Sequence, residues 1–154
     1  TMIRVHDLTN SQVDEDFFRE IARNVFKKEK VEEKIGLSII LVKPRRIREL
    51  NKKYKKENRT TDVLSFGQEL NSRRLKFPSL PNENLELGDV VICLNEVKKN
   101  ARKFNSDFKK ELALVLIHGI LHLLGYDHEK SDKEAKKMRE KEKEYLKQTL
   151  NFKL

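Results

Sequence analysis

The chain has 154 residues, enough for one domain with a real core and little beyond it. Hydrophobic residues make up 37% and charged residues 38%, and no stretch approaches the roughly 20 apolar residues of a bilayer span. A single cysteine excludes an internal disulfide, and a formal charge of +9 favours polyanionic partners, nucleic acid first and an anionic membrane second.

The opening TMIRVHDLT runs straight into polar sequence without a signal-peptide core, so a cytoplasmic location with no membrane association is expected. Thr1, ahead of Met2, is set aside, which leaves one domain over residues 2–154. Ile3 and Val5 mark a first short strand. Ser11 is a candidate helix cap with Asp14 as its capping-box partner, and Phe17, Phe18, Ile21, Ala22, Val25 and Phe26 then repeat at helical spacing. Gly36 precedes a central strand at 37–42. Pro44 suits the first turn of a second helix, with Ile47, Leu50 and Tyr54 as its buried stripe. Thr61 to Phe66 reads as a strand, Asn71 to Asn84 as a polar loop or hairpin, and Leu87 to Leu94 as a further strand around Gly88. Cys93, beside Val91, Ile92 and Leu94, is expected to pack rather than react.

Asn95 is the expected cap of a short basic helix ending near Phe104, and Ser106 that of the next. In that next helix Leu112 to Ile117 are apolar all round, so it should run through the core and stop at Gly125. Ser131 with Glu134 opens a last charged helix whose apolar positions are Ala135, Met138, Tyr145 and Leu146. No repeat or linker interrupts the pattern. Strands mixed with helices in this way predict one α/β (α+β) domain around a small mixed sheet.

Charge is distributed unevenly. Lys43 to Arg59 holds nine Lys or Arg against two Glu, and Lys98 to Lys110 holds six against Asp107 alone. Solvated helix faces account for the C-terminal run, where Lys and Glu nearly balance. The first segment is a candidate nucleic-acid surface, with Lys43, Arg45, Arg46, Lys52 and Lys53 as contacts.

Three of the four histidines fall within HGILHLLGYDH, at positions 118, 122 and 128. Four residues along a helix turn about 40° past one revolution and rise about 6 Å, so His118 and His122 face the same way. Gly125 reverses the chain and lets His128 return with a third nitrogen. Three protein ligands leave a fourth tetrahedral position open, as a catalytic zinc site requires. Packing alone explains this grouping poorly, because buried imidazoles each need partners for two polar nitrogens. One zinc per chain is expected, with other divalent ions as alternatives.

The spacing is also that of the metzincin metalloproteases, but Gly119 occupies the position where those enzymes carry their catalytic Glu. A closed structural zinc site would need a fourth ligand, for which only Cys93 and His6 offer themselves. A non-catalytic zinc protein that binds RNA or ribosomes, or a metallopeptidase-like hydrolase, are the rival readings.

HGILHLLGYDH closely resembles the signature of the YbeY family of bacterial single-strand-specific, metal-dependent endoribonucleases. Asn51, Tyr54, TDVLSF (Thr61 to Phe66) and LGDVVI (Leu87 to Ile92) resemble that family's central segments, and the likeness covers nearly the whole chain. It implies a metalloprotease-like α/β domain with His118, His122 and His128 as metal ligands. The implied activity is hydrolysis of RNA, including ribosomal RNA near the small-subunit 3′ end, with a part in ribosome quality control. Where the family usually has Arg after the tyrosine, this chain has Lys55. Either Lys55 or nearby Arg59 is then left to offset phosphate and transition-state charge. Asp62 and Asp127 are candidates for orienting histidines or water, with a cap and a turn as their plain structural alternatives.

Overall fold

Alternating apolar residues decide which face each strand buries, and four strands do so in this protein. The computed structural model describes residues 2–67 and 85–153, the last four as backbone only. Its elements are β1 (Ile3–Asp7), α1 (Glu15–Lys28), β2 (Ile35–Leu41), α2 (Pro44–Lys55), β3 (Val63–Gly67), β4 (Leu85–Ile92), α3 (Leu94–Lys103), α4 (Phe108–Leu123) and α5 (Asp132–Lys153). The strands form one mixed sheet in the order β1-β2-β4-β3, with β3 antiparallel to β4 and the other pairs parallel. The register between β2 and β4 shifts between Gly36 and Ser38, a bulge in β4 near Gly88.

Leu37, Ile39 and Leu41 of β2 and Val90 and Ile92 of β4 point to one face and are fully buried. They pack under α1 and α4, and the same core takes in Met138 and Tyr145 of α5. The opposite face carries a smaller cluster of Val42, Leu64, Val91 and Cys93, covered by Ile47 of α2. The expected α/β domain is therefore present, with α4 as its central helix. Cys93 is buried, and that burial pushes its thiol pKa up. This suits packing, not reactivity.

Several boundaries differ from expectation. α1 is capped by Asp14, whose carboxylate accepts the Asp16 N–H at 3.1 Å, while Ser11 bonds Thr9 instead. Asp107, not Ser106, caps α4 by accepting the Lys110 N–H at 3.2 Å; the Ser106 N–H closes the previous turn on Ala101. Asn95 does not cap α3, because the chain passes from β4 into the helix through Cys93 and Asn95 falls in the first turn. The third strand begins at Val63 rather than Thr61, and the fourth at Leu85 rather than Leu87. Tyr54 is 54% exposed, not buried. Pro44 at the start of α2 and Ser131 at the start of α5, where its hydroxyl accepts the Glu134 N–H, match the sequence reading. The loop expected at Asn71 to Asn84 lies outside the described residues.

Candidate active site

One stripe of α4 borders a cavity, although its Val115 still belongs to the core. Glu111, Leu114, Val115, His118 and His122 recur at helical spacing and line a cavity of about 660 Å³ together with Lys55 of α2 and residues 61–65. Gly119 lies next to this stripe, where the helix meets the sheet. A Cβ there would come within 2.8 Å of Val90 Cγ1 and 3.1 Å of Ser65 Oγ, and the Ser65 hydroxyl donates to the Gly119 carbonyl at 2.9 Å. Close helix–sheet packing thus leaves no room for the carboxylate that a metzincin places at this position.

The histidines are more accessible than an apolar helix suggested. His118 is half-buried, while His122 and His128 are exposed at the cavity wall. Past Leu123, Gly125 adopts φ of +103°, a conformation that side-chain-bearing residues rarely adopt, and its N–H closes on the His122 carbonyl at 3.1 Å. The reversal brings the His128 ring to 5.3 Å, centroid to centroid, from that of His118. Asp127 tightens the turn by accepting the Glu129 N–H at 2.9 Å. Tyr126 anchors it to α1 by donating to Glu29 at 2.7 Å.

Protonation follows from neighbours. Partial burial holds the His122 imidazole below its ordinary pKa, and the Lys55 ammonium and His118 push the same way, with Asp127 opposing. His122 is therefore neutral near pH 7, as a metal-ligating nitrogen must be. His118 Nδ1 lies 3.2 Å from Glu142 Oε1. An ionised carboxylate only accepts, so Nδ1 carries the proton and Nε2 is left with the lone pair. Glu142 was missed in the sequence, where it is one of many Glu in a Lys/Glu-rich helix; only the fold brings α5 against His118.

Among the described residues no three His, Cys, Asp or Glu side chains are gathered into a metal-holding group; the three imidazoles share one cavity instead. Cys93 and His6 do not line it. Lys55 does, whereas the Arg59 guanidinium is paired with Glu57 at 2.8 Å and stands outside the lining residues. Asp62 lines the cavity but bonds Asn100 at 3.3 Å, and Asp127 reaches His122 electrostatically. Lys43, just ahead of α2, and Arg45, Arg46, Lys52 and Lys53 on it are all exposed, with Arg45 and Arg46 partly offset by Glu49.

The mixed-sheet domain thus brings His118, His122, His128 and Lys55 to the wall of one open cavity. The family model described as Endoribonuclease YbeY matches residues 4–150. An Endoribonuclease YbeY of Thermodesulfovibrio yellowstonii is 45% identical over 113 residues, which is 71% of this chain and 64% of that protein, just under two thirds of its length. One from Thermotoga maritima is 44% identical over 126 residues, covering 77% of this chain and 75% of that one. The solution structure of TM1509 from Thermotoga maritima superposes with a TM-score of 0.66 at 36% identity, over 97% of this chain and 90% of the other. The chain belongs to the Endoribonuclease YbeY family, a family of hydrolases that act on RNA.

Proposed function

We propose that this protein cuts single-stranded RNA at the histidine cavity with one bound zinc ion, and that its substrate is ribosomal RNA near the small-subunit 3′ end. The observation that carries the reading is the shared cavity itself: the His118 and His128 rings lie 5.3 Å apart, His122 follows one helical turn on, and Lys55 lines the same cavity. Three imidazoles, one held by a carboxylate and one kept neutral by its surroundings, are a donor set suited to zinc and accessible to other divalent ions. When bound, the ion supplies Lewis acidity and a lowered pKa for its water.

The remaining roles belong to the chain. Lys55 offsets charge on the phosphate, and the exposed cations of α2 draw the strand in. Glu142 holds His118 in one tautomer. Asp127 and Asp62 shape the walls on either side. Arg59, tied to Glu57, contributes to the field rather than to the reacting group. Association with the small ribosomal subunit, a part in its quality control, and a cytoplasmic location complete the proposal. A metallopeptidase is disfavoured by the packing at Gly119, and a closed structural zinc by the open cavity.

Metal content and cleavage are measured together. His118→Ala, His122→Ala and His128→Ala should each lose the ion, about one per chain in the unaltered protein, and lose single-turnover cleavage of a short single-stranded RNA. Lys55→Ala should slow cleavage at saturating RNA while Lys55→Arg preserves it. Equal metal in the unaltered protein and all three histidine variants would remove the ion from this cavity.

A further inference from the structure

The large hydrophobic side chains left exposed among the described residues are Met2, Leu8, Tyr54 and Phe104, and the two aromatic ones have unusual positions. Phe104, at the end of α3, is 64% exposed and lines the histidine cavity. Tyr54, at the end of α2, lines a second groove of about 740 Å³ between that helix and the sheet, together with Ile40, Leu50 and Phe66. The two hollows are neighbours, since Lys55 and Ser65 line both. Each exposed ring also has a lysine beside it: Lys53 Nζ is 5.2 Å from the Tyr54 centroid, and Lys103 Nζ is 5.5 Å from that of Phe104. The Tyr54 ring is propped edge-on against Phe66, with centroids 5.2 Å apart at 65°.

An exposed aromatic ring costs hydration free energy unless something covers it. Here each ring is paired with a cation, and the rings line two adjoining hollows that share Lys55 and Ser65. A flat apolar face next to a positive charge matches a nucleotide, whose base stacks while its phosphate is neutralised. We infer that Tyr54 and Phe104 are base-stacking platforms for two nucleotides of a single RNA strand, one on each side of the linkage held at the histidine cavity. This rests on that cavity being where the RNA is cut. Duplex RNA cannot use the platforms, because its bases already stack on one another, so the pair of rings selects for single strands. Stacking is tolerant of base identity, so sequence preference at these two nucleotides should be weak.

The test pairs ring removal with base removal. Affinity of the full chain for short fluorescent single-stranded RNAs is measured by anisotropy with chelator present, so that no cleavage intervenes. The RNA set carries one abasic nucleotide at each position in turn. Tyr54→Leu and Phe104→Leu should each weaken the intact RNA roughly 5- to 100-fold. Each should have little effect on one particular abasic RNA, and the two RNAs should differ. Tyr54→Phe and Phe104→Tyr should bind like the unaltered protein. Unchanged affinity in both leucine variants would overturn the inference. Losses independent of which base is missing would also overturn it. Cleavage of the intact RNA by the metal-loaded protein, followed separately, reports on the active site alone: coupling without cleavage keeps the platforms and removes the active-site reading.

Discussion

Gly119 shows how one missing side chain separates chemistries. A helix interior gains about 1 kcal/mol when Gly is replaced by Ala, so the plain expectation is a more stable protein. The Cβ would instead press on Val90, a fully buried β-branched residue with no free rotamer to offer. Overpacking of this kind costs about 1–3 kcal/mol and outweighs the propensity gain. Gly119→Ala should therefore lower stability by about 1 kcal/mol in chemical denaturation. Glu142 gives the second residue-scale prediction. Removing the carboxylate that holds His118 should weaken divalent-metal binding about 10- to 100-fold, read by competition with a chromophoric chelator, with Glu142→Gln falling between Glu142→Ala and the unaltered protein. Unchanged affinity would reduce the Glu142 contact to packing.

Among the elements, the turn after α4 depends on α1 and α5 through Glu29. Its carboxylate accepts from Tyr126 and Tyr145 and pairs with Lys141. Burial first, and then the hydrogen bond to Glu29, push the Tyr126 pKa up to about 12 from an ordinary 10.0. A raised folded-state pKa means the stabilisation is complete below about pH 10 and is lost as pH climbs toward 12. Tyr126→Phe should cost about 1 kcal/mol at neutral pH, and the gap should close as the solution becomes strongly alkaline. A gap independent of pH in urea titrations would mean the hydroxyl contributes only shape.

What the sequence disclosed at this scale followed local rules. The histidine pair, Pro44 and Gly125 carry their geometry in their own spacing or backbone preference. Helix caps were harder, because Ser106 stands beside Asp107 and Ser11 near Asp14, and nothing local ranks two competent caps. Tyr54 keeps the spacing of Ile47 and Leu50, yet the ring at the end of α2 meets Phe66 only edge-on and stays open to solvent. Glu142 and the groove under α2 exist only once distant segments meet, so no window of sequence contains them.

For the whole molecule, a charge of +9 with a strongly cationic α2 makes binding dependent on ionic strength. Each phosphate contact on a single strand should contribute about −0.7 to the slope of log affinity against log salt. Lys52→Ala or Lys53→Ala should flatten that slope by about this amount and weaken all sequences alike. A slope unchanged by either would place the strand elsewhere on the surface.

The last helix has a consequence in time. Protein chains are made from the N-terminus, so a growing chain that has emerged as far as residue 128 already carries His118, His122 and His128 but not Met138, Glu142 or Tyr145. Those later residues complete the core under α4, hold the His118 tautomer and tie α5 to Glu29. A half-made copy thus owns its nitrogen donors without the brace that orders them. The ordering of His118 therefore waits on α5, the part of the described fold that is made last.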